Sequence, residues 1–183
     1  MTREQAWQLL CEWTPSENLR KHALAVEAAL RFYARRFGEA EDEWGIVGLL
    51  HDFDYERFPT EQDHPFRGVE HLRSLGASES WLEAILAHAS YSGVEARTLM
   101  AKTLLACDEL TGLVTAAVLV LPSRKLADLK ASSVRKRMKE SGFARKVNRQ
   151  DIVRGSELLG LPLDEHIANV VQAMQEAADS LGF

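Results

Sequence analysis

Apolar residues recur at three- and four-residue intervals along almost the entire chain, and no stretch alternates apolar with polar residues as a half-buried strand does. That periodicity restricts the fold to helices packed on helices, an all-α bundle. Thr2 can cap a first helix ending near Trp13. Ser16, preceded by Pro15, caps a second in which Leu19, Val26, Ala29, Leu30, Tyr33 and Phe37 fall at helical intervals before Gly38 stops it. The spacing predicts a third helix over about 42–52 that buries Trp44, Ile46, Val47 and Leu50, then a loop over 54–63. A fourth helix starts at DHPFRG, with Asp63 or His64 as cap and Pro65 in the first helical position. A fifth begins at Ser78 and closes at YSGV, and a longer apolar helix runs from about 97 to 121, ended by Pro122. Two more, near 149–159 and 164–181, complete the chain.

Length and charge narrow the class further. The 183 residues suffice for one domain with a real core, and we expect a single domain over 1–183. A formal net charge of −5 argues against binding nucleic acid by bulk attraction. The opening MTREQAWQLLCEW lacks the basic start and apolar run of a signal peptide, and no segment is apolar for long enough to span a membrane. Cys11 and Cys107 lie far apart without CxxC spacing, so a reduced, cytoplasmic setting is expected. Oligomeric state leaves no sequence signal. Within this acidic protein, residues 124–149 hold ten Lys or Arg against two acids, Asp128 and Glu140. Arg124, Lys125 and Lys130 are candidate phosphate-binding residues there, set against the plainer role of a solvated basic surface.

The histidines and acids carry the chemistry. His22 lies three residues after Leu19 and four before Val26, on a core-facing stripe. His51 and Asp52 end an apolar helical run, where an acid opposes the helix dipole and capping explains it poorly. His64 stands at a loop-to-helix corner. His88 follows Ile85 by three residues, near the end of its helix. Asp108 interrupts TLLACDELTGLV, and Leu104 and Leu105 one turn back imply burial. A buried, unpaired carboxylate is costly, so Asp52 and Asp108 need cations or donors. Glu109 is expected to be the solvent-facing acid of that pair, His71 a packing or surface residue, and His166 no ligand. Four His and two Asp suit a divalent transition metal, Fe, Mn, Co, Ni or Zn. They exceed the needs of one tetrahedral ion and would serve two ions sharing a carboxylate.

The order His22, His51-Asp52, Asp108 resembles the HD superfamily of metal-dependent phosphohydrolases, with the core pattern H…HD…D, over roughly residues 20–122. The segments HPFRG, with His64, and ILAHAS, with His88, resemble its HDIG-type branch. The tail LTGLV…LPSRKLADLKASSVRKR is similar to that of small bacterial HDIG-domain proteins. The resemblance implies a helical bundle of the HD type, with a metal-site core over about 20–122 and a C-terminal helical extension over 123–183. It implies that His22, His51, Asp52 and Asp108 hold a first ion and that Asp52 bridges to a second held by His64 and His88. The implied activity is hydrolysis of a nucleotide or other small phosphate mono- or diester through a metal-bound hydroxide, with Asp52 orienting the nucleophile. Asp54 is a candidate proton acceptor or donor, or else the centre of an Asx-turn. The chain departs from the HDIG pattern in reading HDFD, with Tyr55 where Lys often follows, and it has no GYP segment. A catalytically idle HD domain that senses a nucleotide or binds a partner is the alternative, and di-iron oxygenase chemistry is a third possibility.

Overall fold

The chain opens its first helix with a reciprocal cap. In the computed structural model, which describes residues 1–183, the Gln5 amide donates to the Thr2 hydroxyl at 3.2 Å and the Thr2 amide to the Gln5 side chain at 2.8 Å. This starts α1 (Arg3–Trp13). Ser16 caps α2 (Glu17–Phe37), which Gly38 ends in the left-handed conformation at φ 73°. Then follow α3 (Glu41–Leu50), α4 (Phe66–Ser74), α5 (Glu79–His88) and α6 (Leu99–Leu119), with a 3-10 turn at Ser90–Ser92. The extension holds a second such turn at Leu126–Asp128, then α7 (Ala131–Arg137), α8 (Arg149–Leu158), α9 (Leu163–Glu176) and α10 (Ala178–Leu181). There is no strand, so the fold is all-α. No helix is long and apolar enough to cross a membrane.

Two 21-residue helices organise the bundle. α2 packs on α3, α6 and α9, while α6 also packs on α5, α7 and α8. One cluster of buried apolar side chains runs from Ala6 in α1 to Leu181 in α10, so the C-terminal extension shares its core with the rest of the chain. A buried polar chain ties α9 in place. Ala106 can only accept at its carbonyl, so His166 donates to it from Nε2 at 2.8 Å. The bare Nδ1 then accepts from the Tyr33 hydroxyl at 2.6 Å, and Asn169 donates to the same oxygen at 3.3 Å. His166 is thus a satisfied core residue, and burial lowers its pKa.

Several boundaries differ from expectation for local reasons. Neither Asp63 nor His64 caps α4: Asp63 accepts from Thr60 and Arg67, and Pro65 itself is the residue before the helix. α3 stops at Leu50, two residues early, and His51 and Asp52 belong to the turn that follows. α6 begins later than expected because the Thr98 hydroxyl accepts from the Ala101 amide at 3.2 Å and fixes its start. The seven residues of α7 bury only Val134, too little to show a periodic apolar stripe. The last helix breaks at Ala177 into α9 and α10.

α8 crosses α6 at Gly155, where a Cβ would lie 2.4 Å from the Ala106 Cα. That neighbour is backbone and cannot swing aside. Gly155→Ala is therefore expected to lower stability by about 1–3 kcal/mol despite alanine's better helix propensity. Denaturant unfolding checks it: the midpoint should fall with an unchanged m-value, and an equal or higher midpoint would show that the helices can part without cost.

Candidate metal centre

Six side chains from five separate segments meet at one side of the bundle. His22 comes from α2, His51 and Asp52 from the turn after α3, His64 from the residue pair before α4, His88 from the last residue of α5, and Asp108 from the middle of α6. They form two groups, His22–His51–Asp108 and Asp52–His64–His88. Within each, one ligand atom from every residue lies within 4.8 Å of the others. Helical periodicity supplies the reach: α2 and α6 lie side by side, and His22 and Asp108 project from them toward the ends of α3 and α5.

The imidazole orientations are set by acceptors behind them. His51 Nδ1 donates to the Gly48 carbonyl at 2.8 Å, and His88 Nδ1 to the Ile85 carbonyl. His64 Nδ1 lies 2.7 Å from Asp54 Oδ1. Each of these rings therefore spends Nδ1 on the scaffold and aims Nε2 at the centre. His88 Nε2 lies 3.0 Å and His64 Nε2 3.2 Å from Asp52 Oδ1, and His22 Nε2 lies 2.9 Å from Asp108 Oδ1. His51 Nε2 is fully buried without a hydrogen-bond partner, 3.5 Å from Asp108 Oδ1 and 3.6 Å from Asp52 Oδ2. Asp52 thus turns one oxygen toward each group.

The electrostatics follow from this crowding. Burial pushes the Asp52 carboxyl up, but His51, His64 and His88 together hold it well below the usual carboxylate range. Asp108 is likewise raised by burial and brought far down by His22 and His51. Burial lowers His64, yet hydrogen bonds and charge from Asp52 and Asp54 raise it to about 9. Burial likewise lowers His51 and His88, but Asp52 and Asp108 raise both above the usual imidazole range. The side chains of Asp52, His22 and Asp108 keep 25%, 24% and 20% of their surface exposed, so the centre opens to solvent on their side.

Asp54 does not reach that open side. It is buried; Oδ1 holds His64, and Oδ2 accepts from the Gly68 amide at 2.7 Å. A Cβ on Gly68 would lie 2.7 Å from the Asp54 Cγ, so the residue there must be glycine for α4 to approach. Both Asp54 oxygens are thus engaged, one by His64 Nδ1 and one by the Gly68 amide, and neither forms an Asx-turn. Tyr55 stacks edge-on against His64, ring centres 5.2 Å apart, and remains exposed.

The remaining candidates are divided. Arg124 lines a cavity of about 470 Å³ that begins at His22, whereas Lys125 and Lys130 are exposed and do not line it. Arg135 pairs with Asp164 and Arg137 with Glu140, and Arg149 donates to the carbonyls of residues 140, 143, 144 and 147. Part of the basic segment is therefore structural. Glu109, expected in solvent, is half-buried, accepts the Asn148 amide at 3.0 Å and is raised by burial and by Asp108. His71 packs against Trp13 at 4.7 Å. Lys21 of α2 lines the same cavity, and its only signal in the sequence is adjacency to His22.

A family model described as HD domain matches residues 19–113, more than half of the chain. The match includes all six converging side chains. No curated protein and no solved structure matches the chain.

Proposed function

The chain belongs to the HD-domain family, and from that premise we propose that it is a metal-dependent phosphohydrolase acting on a nucleotide or other small phosphate mono- or diester. One observation carries the reading: three imidazoles are locked by Nδ1 with Nε2 converging on two carboxylates, and one of those nitrogens, on His51, is buried with no partner. A buried imidazole nitrogen facing carboxylates is the donor arrangement of a divalent cation site. His22, His51 and Asp108, with Asp52 Oδ2, would hold one ion. His64 and His88, with Asp52 Oδ1, would hold the other. Fe, Mn, Co, Ni and Zn all suit this mixed N/O set.

Such ions lower the pKa of a water and neutralise phosphate oxygens. The chain's own residues do the rest. Asp52 lies between the two groups and fixes their spacing. The Gly48 and Ile85 carbonyls and the Asp54 carboxylate set the imidazole tautomers. The exposed faces of His22, Asp52 and Asp108 leave an approach for the ester, with Tyr55 beside His64 at its edge.

Metal analysis of the purified protein, coupled to a panel of nucleotides and generic phosphate mono- and diesters, tests the proposal. Bound divalent metal with turnover of at least one ester supports it. Metal-free protein that turns over nothing after Mn²⁺ or Fe²⁺ is added points instead to a sensing or partner-binding domain.

Asp54→Asn is expected to weaken retention of the ion at the His64 group by about 10–100-fold, because the amide no longer holds His64 Nδ1 as a carboxylate does. Competition with a chromogenic chelator measures this. Two ions held with unchanged affinity would show that Asp54 serves packing alone.

A further inference from the structure

The cavity beside His22 has a composition the metal groups do not explain. Its roughly 470 Å³ lies between α2, α6 and the extension, a volume in the range of small-molecule sites. Lys21 of α2 and Arg124 both line it, and no Asp or Glu does, in a protein whose formal net charge is −5. Neither cation has an ion-pair partner, whereas neighbouring Arg3, Arg31, Arg35 and Arg36 on the α1–α2 side are all paired. Asn18 and Thr115 add uncommitted hydrogen-bonding groups to the same wall.

Arg124 reaches the cavity from a strained backbone. Its φ is 52°, in the left-handed region that non-glycine residues avoid, and it sits in a turn closed by its amide donating to the Leu121 carbonyl at 3.2 Å. Lys21 and Arg124 are both exposed and unpaired at the rim of one hollow, so an anion that enters it meets two opposite charges free to engage it. Arg124 and the wall formed by Leu181–Phe183 lie outside residues 19–113, so this surface belongs to the chain's own extension.

We propose that the cavity binds a second anionic group of the substrate, a phosphate or a carboxylate, with Lys21 and Arg124 as its counter-charges. The substrate is then a small phosphate ester carrying at least two anionic groups. One lies at the His/Asp centre and the other past His22, which lines both. The assignment of the first group rests on the phosphohydrolase reading; the charge of the cavity does not.

Titration calorimetry on chelator-treated protein separates the two. Inorganic pyrophosphate is expected to bind the metal-free chain, and malonate, titrated in parallel, reports whether phosphate or carboxylate is preferred. Lys21→Gln and Arg124→Gln should each weaken the tighter ligand by about tenfold or more, Arg124→Lys should weaken it less, and Lys139→Gln, in the same basic segment but not lining the cavity, should not change it. No binding of either anion by the wild type, unchanged affinity in both cavity variants, or an equal loss in Lys139→Gln would overturn the proposal. Turnover of the nucleotide and phosphate-ester panel by the Mn²⁺-loaded protein is read separately. Its absence, alongside binding that depends on Lys21 and Arg124, defeats the hydrolase reading and upholds the anion cavity.

Discussion

Asp52→Ala is expected to abolish phosphate-ester hydrolysis, lowering kcat/KM by about 10³-fold or more, and to strip metal from both groups. The reason is its position. One Asp52 oxygen faces His64 and His88 at 3.2 and 3.0 Å, and the other faces His51 at 3.6 Å, so no other single side chain serves both groups. Asp108→Ala touches only His22 and His51 and should behave differently. It should lose one ion and leave the Asp52–His64–His88 group able to load the other. Circular dichroism checks that both variants remain helical, and metal stoichiometry separates them. Equal losses of both ions in the two variants would show that the groups act as one unit, and retained activity in Asp52→Ala would end the assignment.

Metal is expected to raise the melting temperature markedly. At a free concentration of 100 times Kd, one ion adds about 2.7 kcal/mol to the folded state. For a domain of this size each kcal/mol moves Tm by about 2–4 °C, so Mn²⁺ or Fe²⁺ should shift the melt by about 5–10 °C, and chelator should reverse the shift. The groups lie where α2, α3, α5 and α6 meet, so a cation there links the helices that make the core. Asp52→Ala should flatten the response to near zero. A wild-type melt indifferent to every divalent transition metal would mean that the histidines and carboxylates satisfy one another without an ion.

Much of the helical frame is legible in the residues, because helix starts and stops are local events. Thr2, Ser16 and Gly38 act within their own turns, and each appears in the role its type favours. His22 and Asp108 stand out because each is a polar residue on an apolar stripe, and a stripe says which way a side chain points. What escapes is what depends on another segment's arrival. Asp54 reads as a loop acid until α4 brings the Gly68 amide and His64 onto its two oxygens. Glu109 reads as exposed until Asn148, 39 residues on, covers it. Lys21 points away from the core stripe, and only the packing of the extension against α2 and α6 turns that outward face into a cavity wall. α7 buries one side chain, and a single apolar residue has no period.

The central claim is that the six converging side chains hold divalent cations. Anomalous difference density from crystals grown with Mn²⁺ tests it most directly. The account predicts two peaks, one among His22, His51 and Asp108 and one among Asp52, His64 and His88, with Asp52 between them. An anomalous map without a peak at either group would contradict it.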